Sequence, residues 1–203
     1  MKIANIFDNA HLYKIFQLGV IKKGTTKKVR DEVLKPIGVK RVLDFGCGIG
    51  YHAEEFRNST YLGVEPLQGC VDKANKLFKS SSAQFVTGDQ HFLKSIPDSS
   101  FDLIIALGVL HHIDEDIVSE FLKESYRILK RGGRLTTFDP VFHVNQTRIS
   151  RWVVSKDRGN WVRTIEEYLR PVEVVYKNNV HYKIYSNLLR IPYDHIHMEM
   201  IKE

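Results

Sequence analysis

The sequence predicts an α/β protein built on a mainly parallel sheet, and three observations carry that expectation. Apolar runs alternate with helical patterns along the chain, the order expected of a parallel sheet covered on both faces. One run, Phe101 to Leu107, is apolar but for Asp102, as a central strand buried on both faces requires. Another, Val42 to Phe45, leads into glycines at every second position, Gly46, Gly48 and Gly50. With 203 residues, 43% of them hydrophobic and 27% charged, the chain suits one domain with one substantial core.

The elements follow in order. Residues 8 to 21 place Leu12, Ile15, Phe16 and Leu18 at helical spacing, with Asp8 or Asn9 as a cap. Strand one is Arg41 to Phe45, and a helix is expected after Gly50 with Glu54 and Glu55 near its positive end. Strand two is Thr60 to Val64, followed by a helix from about Gln68 to Lys79, and Gln84 to Thr87 forms strand three. After the central run, Asp114 to Lys130 alternates as a helix closed by Gly132-Gly133, and Arg134 to Phe138 is strand five. Beyond Pro140, residues 145 to 155 read as a helix, and Thr164 has capping-box spacing to Glu167. Pro171 is expected to interrupt the next element, and Val172 to Tyr176 is balanced between strand and helix. Val180 to Leu189 and Tyr193 to Ile201 read as a closing pair of strands.

A strand that ends in a tight glycine turn lets backbone approach a ligand closely, because side chains are absent and positive φ costs little. A dinucleotide fingerprint would need its third glycine at position 51, which is tyrosine, so a nicotinamide dehydrogenase is disfavoured. The two cysteines, Cys47 and Cys70, form no disulfide framework or zinc motif. No signal peptide and no apolar run of about 20 residues is read, so a cytoplasmic protein without a membrane span is expected. The net charge of +6 fits an acidic partner or simple solubility.

With Asp44 two residues ahead of Gly46, the segment resembles the first motif of class I S-adenosylmethionine-dependent methyltransferases. That resemblance implies a Rossmann-like doubly wound, mainly parallel seven-stranded sheet with one antiparallel strand. It implies S-adenosyl-L-methionine as cofactor and S-adenosyl-L-homocysteine as product. Asp44, Gly46, Cys47, Gly48, Gly50, Pro66, Gln90 and Leu107 would line its site. Glu65, the next strand-end carboxylate, would accept hydrogen bonds from both ribose hydroxyls, chemistry suited to an ionised carboxylate. Asp89 would face the adenine amino group, with helix capping as its alternative. Residues 1–35 would form a helical lid, with Phe7, Tyr13 and Phe16 over the cofactor; an amphipathic core helix explains the same residues.

The pair His111-His112 after strand four is common in small methyltransferases of this type. Either histidine is a candidate base, and packing beneath the cofactor is the competing role. The family likeness makes residues 140–170 a substrate-binding insertion. There Arg148, Arg158 and Arg163 would hold an anionic group through two-point contacts, unless they are plain surface arginines. His195, His197 and Glu199 share one face of a strand, but exposed edge histidines are the expectation there, and no metal is expected. The resulting expectation is methyl transfer to an O or N nucleophile of a small or carrier-linked acceptor. A binding module without turnover and a nucleic-acid-directed enzyme are the alternatives, the latter weakened by Ala106-Leu107-Gly108-Val109 standing where base-methylating relatives carry Asn-Pro-Pro-Tyr. Oligomeric state is not readable.

Overall fold

The computed structural model describes residues 21–78 and 82–203. The expected helix over residues 8 to 21 and the contacts assigned to Phe7, Tyr13 and Phe16 therefore lie outside the described residues, apart from Ile21.

The elements run α1 (Thr25–Val29, continued by a π-turn to Leu34), β1 (Arg41–Phe45), β2 (Thr60–Glu65), α2 (Gln68–Leu77), β3 (Ala83–Thr87) and β4 (Phe101–Leu107). They continue with α3 (Glu115–Ile128), β5 (Leu129–Phe142), α4 (Arg148–Val154), β6 (Arg163–Thr164), α5 (Ile165–Tyr176), β7 (Val180–Tyr185) and β8 (His195–Ile201). The sheet order is β3-β2-β1-β4-β5-β8-β7, with β6 on β5. All pairs are parallel except those of β8, which runs antiparallel to both β5 and β7. The sheet thus has eight strands rather than seven, because Arg163–Thr164 adds a two-residue strand beyond the main path.

Period-two alternation buries both faces. Val42, Leu103 and Ile105 pack toward Leu34, Val71 and Ala74 on one side. Leu43, Phe45, Ile104 and Ala106 pack toward α3 and α5 on the other, where Phe45 stacks on Phe121 at 4.6 Å between ring centroids. Ser125 of α3 and Tyr176 of α5 share a buried hydrogen bond of 2.8 Å, so the two helices on that face are joined by more than apolar contact. Among the described residues no helix is long and apolar enough to cross a membrane.

Four expectations are corrected. The segment after Gly50 makes only a 3₁₀ turn, Ala53–Phe56, because nine residues separate the glycine turn from β2 and leave too little chain for an α-helix. Helix α3 ends at Ile128 rather than at Gly132-Gly133. Leu129 turns extended and pairs with Phe101, its side chain fully buried, so packing overrides helix propensity. Pro171 sits inside α5 without ending it, since Tyr168, Pro171, Val172 and Tyr176 bury one continuous face. The Thr164–Glu167 capping box starts that helix as its spacing predicts. Finally, His197 is buried, not exposed, because β8 lies between β5 and β7 rather than at the sheet edge.

Candidate functional site

Strand order reverses between β1 and β4, and ligand crevices in open α/β sheets lie at the carboxyl ends of strands at such a point. The glycine turn opens there. Gly46 and Cys47 both donate backbone N–H to the Val64 carbonyl, at 2.8 and 3.3 Å, which folds the turn over the end of β2. Gly46 has φ of 75°, and a Cβ there would lie 2.6 Å from Val109 Cγ2. At Gly50, φ is 82° and a Cβ would lie 2.8 Å from the Phe78 and Phe85 rings. Neither position tolerates a side chain without movement.

Glu65, at the end of β2, is buried. One carboxylate oxygen accepts from Gly48 N–H and the other from Leu67 N–H, both at 3.1 Å, so this side chain ties the glycine turn to the start of α2. Pro66 follows it on the surface. The Cys47 side chain points inward against Gly63, and burial pushes its thiol far above the usual range, so only the Cys47 backbone faces the turn's concave side. Asp89 is exposed and accepts from His91 N–H at 2.9 Å, while Gln90 lies 3.3 Å from the His91 ring. Leu107 is half-buried at the end of β4. Tyr13 lies outside the described residues.

Asp44 is buried and accepts a hydrogen bond from Tyr61 Oη. Burial pushes its pKa up to about 7; the Tyr61 bond opposes the rise and the neighbouring Glu65 charge adds to it. An unfolded chain releases this proton near about 3.9. Between those values the folded state binds more protons, so Asp44 makes stability fall as pH rises from about 4 to 7. Urea unfolding from pH 5 to 8 should show Asp44→Asn gaining on the parent protein as pH rises, by on the order of a few kcal/mol. Parallel curves would refute this account.

The paired histidines have opposite environments. His111 is buried, with Nδ1 donating to Asp139 Oδ1 at 2.8 Å and Nε2 3.4 Å from Asp157 Oδ1. The His111 carbonyl accepts from Trp161 N–H at 3.0 Å, and a Cβ at Gly159 would lie 2.2 Å from His111 Cδ2, so the 155–162 loop closes directly over this ring. Asp157 also accepts from Gly159 N–H at 2.7 Å and from Tyr193 Oη. His112 is exposed, and its ring lies tilted against that of His111 with centroids 4.0 Å apart. Desolvation holds its pKa below the usual imidazole value, and His111 adds to the effect.

Sequence reasoning missed Asp139. Asp139 directly precedes a proline after an apolar run, as Glu65 does, which was the available signal, although β5 itself runs on to Phe142. His195, stacked on Phe138 at 4.6 Å, completes this cluster, and burial lowers its pKa to about 4. No group of three or more metal-ligating side chains occurs among the described residues.

The three arginines do not converge. Arg163 is buried, and its guanidinium donates to the Leu110, Trp161 and Ile113 carbonyls at 2.7, 3.1 and 2.8 Å. It braces the turn carrying the histidines, and its fork is filled by carbonyls. Arg148 and Arg158 are exposed. A cavity of about 380 Å³ lies elsewhere, lined by Lys22, Asn145, Thr147, Asn187, Arg190 and the buried Asp194 among others.

Fold and site together define an open-sheet α/β domain whose glycine turn lies at the β1/β4 switch point. Residues 43–137 match a family model described as Methyltransferase domain. A fatty-acid O-methyltransferase of Mycolicibacterium smegmatis is 34% identical over 98 residues, covering 46% of this chain and 35% of that protein. A ubiquinone biosynthesis O-methyltransferase of Bradyrhizobium diazoefficiens is 30% identical over 128 residues, covering 61% of this chain and 49% of that protein. The chain thus spans half or less of the length of these curated relatives. The solved structure of a SAM-dependent methyltransferase from Archaeoglobus fulgidus superposes with a TM-score of 0.69 at 18% identity, over 94% of this chain and 99% of that one. Residues 43–137 thus resemble a methyltransferase domain, and the chain shares the fold of a solved S-adenosylmethionine-dependent methyltransferase.

Proposed function

We propose that this protein transfers a methyl group from S-adenosyl-L-methionine to an O or N nucleophile of a small or carrier-linked acceptor. The observation that carries the reading is the cradle at the β1/β4 switch. A glycine turn with no room for side chains at Gly46 and Gly50 is fixed by a buried carboxylate, and Val109, whose carbonyl accepts from His112 N–H, packs on it.

The residues present fit the cofactor. Bare backbone at Gly46, Gly48 and Gly50 supports this reading, in which the strand-end carboxylate of Glu65 serves the ribose and Asp89 and Gln90, after β3, serve the adenine. When bound, S-adenosylmethionine supplies an electrophilic methyl group on a sulfonium. The chain's own part is to hold the acceptor in line and to manage its proton. His112, largely neutral near pH 7 because its pKa is depressed, is the group suited to take that proton. His111, held by Asp139 and covered by the 155–162 loop, positions it.

The acceptor side is formed by residues 140–170 and the loop between β7 and β8. Its cavity favours an anionic or polar acceptor through Lys22 and Arg190 rather than through Arg163, whose donors are already used.

Calorimetry with S-adenosylhomocysteine and with NAD tests the cofactor reading: micromolar binding of the first and none of the second is expected. Absence of S-adenosylhomocysteine binding overturns the proposal. Transfer of label from S-adenosylmethionine into a panel of hydroxyl- and amine-bearing metabolites then identifies the acceptor.

A further inference from the structure

Single exposed apolar side chains need no explanation, but a concentration of them does. Twelve large apolar side chains are exposed among the described residues, and four of them fall within residues 144–161. These are Val144 at 94%, Ile149 at 65%, Trp152 at 63% and Trp161 at 47%, which include both tryptophans of the chain.

Helical geometry explains how α4 presents the two that it carries, Ile149 and Trp152. Ser150 and Val154 are buried beneath the helix, which leaves Arg148, Ile149, Arg151, Trp152 and, just past its end, Lys156 on one contiguous outer arc. Cations and apolar groups therefore alternate on the same face. The only acidic side chain in the segment is Asp157, and both of its oxygens are engaged by Gly159, Tyr193 and His111. Arg148, Arg151 and Lys156 make no ion pair with the described residues. Arg151 lies over the Phe142 ring with its centre 5.3 Å from the centroid, so it is held near the apolar groups.

We infer that this face, built from α4 and its flanking turns, docks onto an anionic lipid surface. Tryptophan suits the headgroup level, where one edge of the ring is wet and the other apolar. A short amphipathic helix with exposed aromatic and aliphatic groups lies in that plane, and basic residues beside it add attraction to anionic headgroups. The face also adjoins the acceptor side, since Asn145 and Thr147 of the turn that presents Val144 line the 380 Å³ cavity, together with Ile191. An amphiphilic acceptor anchored in the bilayer would meet the cavity from this side. The docking itself is independent of methyl transfer, so its test does not rest on the proposed activity.

The test uses the whole chain with vesicles of phosphatidylcholine alone and of phosphatidylcholine mixed with phosphatidylglycerol, read by flotation and by tryptophan emission. Because Trp152 lies on this face and Trp161 is the only other tryptophan, exposed in the loop that follows, emission reports on this segment directly. Flotation with the anionic vesicles and a shift of emission to shorter wavelength are expected, with binding to neutral vesicles at least about tenfold weaker. Each cation near such a surface contributes about fivefold, so Arg151→Gln with Lys156→Gln should weaken binding roughly 25-fold. Added salt should act in the same direction. Trp152→Ser should remove most of the shift while leaving thermal melting and S-adenosylhomocysteine binding unchanged. No flotation and no shift with anionic vesicles would overturn the inference. So would equal binding to both kinds of vesicle, or a shift with a single-stranded oligonucleotide and none with vesicles.

Discussion

Glu65→Ala is expected to raise the dissociation constant for S-adenosylhomocysteine by about 100-fold or more. The side chain is buried and does two tasks in the free protein. Its two oxygens accept from Gly48 N–H and Leu67 N–H, so it holds the glycine turn against the first turn of α2. Hydrogen bonds to a charged group are worth about 1.5–3 kcal/mol each, and removing the acceptor strands both donors. About 3 kcal/mol lost from a pre-formed cradle corresponds to roughly two powers of ten in affinity, before any ribose contact is counted. Glu65→Gln separates the two tasks. Its amide keeps one acceptor and turns a donor toward a backbone N–H, so an intermediate loss of about tenfold is expected. Calorimetry on variants whose melting confirms a folded state makes the comparison. Unchanged affinity in the folded Glu65→Ala variant would remove Glu65 from the cofactor site.

Glu65 stands out in the amino-acid sequence because it ends the apolar run that follows the one closed by the glycine turn, and such runs are where sequence speaks clearly. Strands β1 and β4 are readable to the residue because a strand buried on both faces has to be apolar throughout, and Val42 to Phe45 and Phe101 to Leu107 are nearly so. The glycine turn is readable because only glycine fits positive φ beside Val109 and Phe85. Errors arise where tertiary contacts outvote local signals. Leu129 leaves α3 early to pair with Phe101, and Pro171 is absorbed because the buried face of α5 holds the helix together around it. Arg163 reads as a surface anion hook because a sequence records charge and not the three carbonyls that fill its fork. Asp139 and Tyr193 are distant from His111 along the chain, and only the fold brings them to the same ring or to its partner Asp157.

The histidine pair gives the sharper mechanistic test, because the two rings differ in environment far more than in sequence. His111→Ala would leave Asp139 fully buried, with one oxygen already lacking a partner and the other reduced to a 3.3 Å backbone contact. Breaking one side of such a buried pair costs about 3–5 kcal/mol, so a fall in Tm of roughly 10 °C is expected together with lost activity. His112→Ala should behave in the opposite way. Its ring is exposed, so stability should change by no more than about 0.5 kcal/mol, while kcat falls by about 10²- to 10⁴-fold if this ring takes the acceptor's proton. The pH profile adds a readout that a merely structural residue would not move. A base must be unprotonated, and the pKa of His112 is lowered by desolvation and by His111. The midpoint of the His112-dependent rise in kcat/KM should therefore lie below about pH 6.5, the ordinary imidazole value. A His112→Ala enzyme with undiminished turnover and the same acid limb would leave alignment of the acceptor, rather than proton transfer, as the work of this site.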